Sequence, residues 1–184
     1  LDSAATSQKP QSVLDAMDAY YRETNANVHR GVYEMAAEAT DRFEAGRTAA
    51  ARLVNHPREG LVLAKNATEC INLVAWAWGS RTLEAGDQVL VTAMEHHSNT
   101  VPWQIVAAMT GATVRFAPIT PGGELDLDAM RQMIGPRTRM VAVAHASNVL
   151  GTINPVDDVV AMARVPMTAH PSGAILATSR PNAD

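Results

Sequence analysis

The sequence predicts an α/β fold: a mostly parallel sheet covered on both faces by helices. Three observations predict it. From residue 61 onward short apolar runs alternate with helix-period segments four times over, the order that parallel strands joined by helical crossovers demand. Gly79, Gly86, Gly111 and the pair Gly122-Gly123 punctuate the crossovers, where turn chemistry is needed. Two of the apolar runs hand over to polar, His- and Asn-containing turns, the place where open α/β sheets hold ligands. At 184 residues and 47% hydrophobic, the chain is long enough for one ordinary domain with a real core.

Taken in order, residues 11–24 carry Val13, Leu14, Met17, Tyr20 and Tyr21 at helical spacing behind Pro10, which predicts an amphipathic helix. The loop 25–31 follows. A long helix is expected over 32–55 from its Ala, Glu and Arg content. Strands are then predicted at 61–64, 88–92, 113–118 and 139–144, with helices at 68–78, 100–110, 127–134 and 156–164. The segment 165–184 contains three prolines and one short apolar run, 174–177, and has room for one edge strand at most. This divides the chain into an N-terminal helical segment (1–55), a partial α/β domain (56–164) and a divergent tail (165–184). A sheet of about four strands ending in such a tail, and a start at Leu1, read as part of a larger protein.

Charge and cysteine content narrow the function. The formal charge is −4, from 15 basic and 19 acidic residues with no dense Lys/Arg run, so a nucleic-acid or anionic-membrane surface has little support. Cys70 is the only cysteine, which excludes an internal disulfide framework and a Cys-type zinc cluster and fits a cytoplasmic setting. No apolar run reaches the roughly 18 residues a bilayer span needs, and no secretory leader is evident.

The first polar turn is Thr92-Ala-Met-Glu-His-His-Ser-Asn-Thr-Val-Pro-Trp-Gln104. The second is His145-Ala-Ser-Asn-Val-Leu-Gly-Thr-Ile-Asn-Pro155. An imidazole offers a π face and titrates near neutrality, so histidines at a strand end suit contact with a ring-bearing ligand and proton transfer. A metal site from Glu95, His96, His97 and His145 is the rival, without the two-His helical spacing that would favour it. Thr68 opens a helix, whose free N–H groups and dipole favour a phosphate; an ordinary N-cap is the alternative.

On five motifs, in order, the chain resembles the N-terminal half of a Suf-type cysteine desulfurase of the class V aminotransferases. They are Leu1-Asp-Ser-Ala-Ala-Thr-Ser-Gln-Lys-Pro10, Asn25-Ala-Asn-Val-His-Arg-Gly31, Ala67-Thr-Glu-Cys-Ile-Asn-Leu-Val-Ala75, Met94-Glu-His-His-Ser-Asn-Thr-Val-Pro-Trp-Gln104 and Ser147-Asn-Val-Leu-Gly-Thr-Ile-Asn-Pro155. Selenocysteine lyases share much of the pattern. The resemblance implies the large domain of an aspartate-aminotransferase-type fold and pyridoxal 5′-phosphate as cofactor. Its implied substrate is L-cysteine, or selenocysteine, and its implied partners are a second copy in a homodimer and a sulfur-acceptor protein of the Suf system.

By the same resemblance Ala67 and Thr68 lie at the cofactor phosphate. The family usually has a hydroxyl residue at both positions, so Ala67 gives up one contact. His96 corresponds to the residue that stacks on the pyridine ring and takes part in proton transfer, with His97 a structural neighbour. Asn148 corresponds to the residue beside the cofactor's phenolic oxygen and the substrate; a turn-closing Asn before Gly151 is the plain alternative. His29 and Arg30 fall in a loop expected near the site entrance, where Arg30 would attract a substrate carboxylate.

Three family elements have no matching position: an Asp for the pyridine nitrogen, a Lys that anchors the cofactor, and a nucleophilic Cys. The lysines are Lys9 and Lys65. Neither suits the anchoring role, and Cys70 reads better as a small buried residue than as the sulfur acceptor. The expectation is therefore cysteine desulfurase by family with the chain itself incomplete and inactive. Selenocysteine lyase and a noncatalytic dimerisation fragment are the alternatives.

Overall fold

The computed structural model describes residues 6–168 and 174–178. Residues 1–5 of the opening motif, and 169–173 and 179–184 of the tail, lie outside the described residues. The chain divides into two compact units, Leu1–Leu63 and Ala64–Asp184.

In the first unit, α1 (Gln11–Ala19) starts on the Pro10 carbonyl, which accepts the amides of Val13 and Leu14 at 3.0 and 3.2 Å. It widens into a π-helical turn, Tyr20–Thr24, where the sequence predicts one continuous helix. Its apolar positions Val13, Leu14 and Met17 are all exposed. The second helix, α2 (Glu34–Leu53), starts two residues later than expected because Tyr33 is extended, and it buries Ala36, Ala39 and Ala51. Gly31 lies so close to α2 that a Cβ there would overlap the Ala36 Cβ; only glycine fits this approach.

The second unit is the α/β layer structure that the sequence predicts. Four strands, β1 (Gln88–Thr92), β2 (Thr113–Ala117), β3 (Thr138–Ala144) and β4 (Ala174–Thr178), form one parallel sheet in the order β2-β1-β3-β4. The helices are α3 (Ala67–Val74), running through a π-helical turn into the short α4 (Ser80–Thr82), then α5 (Val101–Thr110), α6 (Leu127–Met133) and α7 (Val156–Thr168). At the end of α5, Gly111 takes the left-handed conformation (φ 77°) that closes a helix at low cost to glycine.

Alternation along the strands builds two cores. Val89 and Val91 of β1, with Met140 and Ala142 of β3, pack under Ile71 and Ala75 on one side and Trp103 and Val106 of α5. Leu90, Val141 and Val143 point to the opposite face and meet Met130 of α6 and Val159 and Ala163 of α7. Each central strand is therefore buried on both faces, which explains why β3 is buried along its whole length.

Two expectations change. Residues 61–64 form no strand: Leu61 is extended (φ −84°, ψ 120°), but Val62 and Leu63 are exposed and the segment finds no partner strand among the described residues. A strand exists through its ladder, so an extended apolar run without a neighbour stays a loop. The fourth strand is the edge strand for which the run 174–177 left room. β4 pairs with β3 over five residues at the sheet edge, and α7 continues to Thr168 rather than ending at Arg164.

The amino-end of the sheet is fastened by charge. Register slips between Gln88 and Val89, leaving Arg139 as the extra residue of β3. Its Nε donates to the buried Asp87 carboxylate at 3.0 Å, and Asp87 also accepts the Glu84 amide at 3.0 Å.

Candidate functional site

The chain leaves β1 through α5 to reach β2 on one side. It then returns through α6 to β3 on the other side of β1. This reversal makes the region beyond the carboxyl ends of β1 and β3 the topological switch point, the place where open α/β sheets bind ligands. The turn carrying His96 leaves β1 there, and the turn carrying Asn148 leaves β3 there.

Glu95 ties the two turns together. Its Oε1 accepts the Thr92 hydroxyl at 2.6 Å and the Ala144 amide of β3 at 2.7 Å, and its Oε2 accepts the Asn99 amide Nδ2 at 2.7 Å. Asn99 is fully buried and its Oδ1 accepts the indole N–H of buried Trp103 at 3.3 Å. Spaced four residues apart, Glu95, Asn99 and Trp103 run from the turn into the first turn of α5. Sequence reading placed Glu95 only in the rival metal site and missed its role as a clamp; the four-residue period inside the motif was the available signal. Asn154 adds a second fastening, donating to the Ala144 carbonyl at 2.8 Å and contacting Met94 Sδ at 3.1 Å.

On this support His96 caps a short 3-10 turn, His97–Asn99. Its Nδ1 accepts the Ser98 amide at 3.1 Å and sits 2.8 Å from the Ser98 hydroxyl. Both His96 and His97 are exposed, their rings 6.3 Å apart and tilted by 57°. The helix α3 packs against this turn. At its start the Asn66 side chain caps the helix by accepting the Glu69 amide at 2.9 Å, and the Glu69 carboxylate reaches back past the cap to accept the Lys65 amide at 2.8 Å. The cap leaves the amides of Ala67 and Thr68 as first-turn donors directed out of the helix, and both residues are exposed.

In the turn after β3, Ser147 is buried and its hydroxyl accepts the Leu150 amide at 3.1 Å, while Asn148 is exposed at the turn's outer edge. Thus Ala67, Thr68, His96 and Asn148 belong to one unit and three adjoining segments. His29 and Arg30 belong to the first unit. His29, in the turn before α2, is held to that helix: its amide donates to Thr40 Oγ1 at 3.1 Å, its ring meets Phe43 edge-on, and its Nε2 lies 3.1 Å from Glu44. Glu44 also faces Arg47 and Arg58. Arg30 is exposed.

The class V aminotransferase family profile matches residues 1–171. A probable cysteine desulfurase of Xylella fastidiosa is 49% identical over 163 residues, spanning 89% of this chain and 39% of that protein. A cysteine desulfurase of Cronobacter sakazakii is 49% identical over 174 residues, 94% of this chain and 41% of its own length. The apo structure of a cysteine desulfurase from Thermococcus onnurineus superposes with a TM-score of 0.87 at 36% identity, covering 96% of this chain and 42% of that one. The chain spans about two fifths of the length of these relatives. With its parallel sheet, its switch-point turns and this match, the chain belongs to the class V aminotransferase family.

Proposed function

We propose that this chain is the cofactor-cradling portion of a pyridoxal-5′-phosphate-dependent cysteine desulfurase of the Suf type. The observation that carries the reading is an exposed imidazole on a braced turn at the switch point, with the helix α3 packed against that turn. The residues fit the group. A phosphate needs several donors at a positive dipole end, which the Ala67 and Thr68 amides and the Thr68 hydroxyl supply. A flat aromatic ring needs a flat partner, which His96 supplies. The Asn148 amide, on the turn leaving β3, suits hydrogen bonding to a ring oxygen.

When bound, pyridoxal phosphate supplies the electron sink for chemistry at the amino acid's α-carbon. This chain's residues bind and orient. Thr68 with the α3 amides anchors the phosphate end, and His96 covers one ring face and holds a proton at its imidazole. Glu95 keeps the β1 and β3 turns at fixed separation. L-Cysteine as substrate accords with the relatives' name, cysteine desulfurase; an acceptor protein for its sulfur and a homodimeric assembly rest on the family resemblance of the motifs alone. Arg30 is assigned to the substrate carboxylate in this reading. By itself the chain supports binding and no turnover, because neither Lys9 nor Lys65 occupies the family's anchoring position.

The test is an absorption titration of the purified chain with pyridoxal phosphate, followed by borohydride reduction and peptide mapping. Saturable binding lost in His96→Ala and Thr68→Val, with no adduct at a single lysine, is expected. A reduced adduct on Lys65 or Lys9 would overturn the inactive-fragment part, and absence of binding by folded chain would overturn the cradle.

A further inference from the structure

We propose that Ser98 is the positioning residue of His96: it fixes the imidazole as the tautomer with its proton on Nε2 and sets the ring's plane. The inference rests on the reading of His96 as a cofactor-facing residue and adds the form in which the imidazole is presented. A backbone amide is only ever a donor. The Ser98 amide lies 3.1 Å from His96 Nδ1 in the capping position of the 3-10 turn, so Nδ1 must offer a lone pair there. A neutral imidazole has one bare nitrogen and one N–H, and a bare Nδ1 therefore places the hydrogen on Nε2.

The Ser98 hydroxyl, 2.8 Å from the same nitrogen, reinforces this by donating into the same lone pair. The imidazole thus does the work that an Asp or Asn oxygen does at ordinary helix starts. The cap is short and stiffly mounted: the His96 carbonyl accepts the Asn99 amide at 2.8 Å, and Asn99 is held in turn by Glu95.

The consequence is chemical. His96 meets a ligand with an Nε2–H donor at its free end, suited to an oxygen acceptor on an anionic ring compound or an amino acid carboxylate. Placing a second proton on Nδ1 sets two donors, the new N–H and the Ser98 amide, against each other. The Ser98 hydroxyl must then turn from donor to acceptor. Ser98 thereby selects which ring nitrogen of the neutral imidazole carries the hydrogen, without touching the ligand itself.

Long-range proton–nitrogen correlation spectra of the chain, labelled with 15N-histidine and free of cofactor, test this directly. His96→Asn identifies the His96 signals, because asparagine keeps the cap. Expected for the parent is a bare Nδ1 and a protonated Nε2, unaveraged. Ser98→Ala keeps the amide and the pattern. Ser98→Pro removes the amide and shifts the signals to the averaged pattern of an exposed imidazole. A parent spectrum that is averaged, or that shows the proton on Nδ1, overturns the inference whatever the variants do. Pyridoxal phosphate titration of the same samples separates the two proposals: a fixed tautomer in a chain that fails to bind overturns the cofactor reading alone.

Discussion

The Glu95 carboxylate accepts the Ala144 backbone amide at 2.7 Å across the gap between β1 and β3. An amide at a strand's carboxyl end is normally left to solvent or to the next strand; here a side chain from the neighbouring turn takes it. With the Thr92 hydroxyl and Asn99 Nδ2 also donating, the two switch-point turns become one rigid piece.

Replacing Glu95 tests that coupling. Glu95→Ala leaves three donors without their acceptor and is expected to lower unfolding free energy by about 3 kcal/mol. Glu95→Gln keeps the Oε1 acceptor but sets an NH2 group against Asn99 Nδ2. Asn99 cannot flip without losing Trp103, so a loss of roughly 1–2 kcal/mol is expected. Urea midpoints measured at equal slope check both values.

Asp87 neutralises a nearly buried guanidinium at the strand irregularity. Asp87→Asn leaves Arg139 buried without its counter-charge and is expected to cost about 3 kcal/mol. The double variant Asp87→Asn/Arg139→Met removes the stranded charge and should recover most of the loss. A double variant as unstable as the single one would show that the pair's role is steric.

Gly31 is tested by Gly31→Ala. The added methyl meets the Ala36 Cβ, with both backbones held by their neighbours, and a loss of roughly 1–3 kcal/mol is expected. Adding Ala36→Gly opens the space and should restore part of it. Thermal unfolding followed by far-ultraviolet circular dichroism reads the change in the first unit.

Ala67 concerns the cofactor. Ala67→Thr places a hydroxyl at the first turn of α3, beside the two uncapped amides. It is expected to tighten pyridoxal phosphate binding about tenfold, ~1.4 kcal/mol, through one charge-assisted hydrogen bond. Absorption titration reads this. Unchanged affinity would place the phosphate elsewhere.

Much of this architecture was legible from local order. The strands at 88–92, 113–118 and 139–144 and the helices between them are written in neighbouring residues, since apolar runs and turn-forming glycines report on a few positions at a time. The candidate residues Ala67, Thr68, His96 and Asn148 were legible through the turns and motifs that carry them. The loop at 61–64 was not, because its apolar run satisfies a strand's composition while strand formation depends on a partner elsewhere.

By itself, then, the sequence determined the alternation of elements, the two-faced burial of the central strands and the motifs of the class V aminotransferases. Tertiary structure alone decided the order β2-β1-β3-β4, the parallel pairing of β4 with β3, the Glu95 clamp and the bare Nδ1 of His96. The physical reason is range. Periodicity is a property of adjacent residues, whereas Glu95 and Ala144 stand 49 positions apart and meet only once β1 and β3 have paired in their particular register.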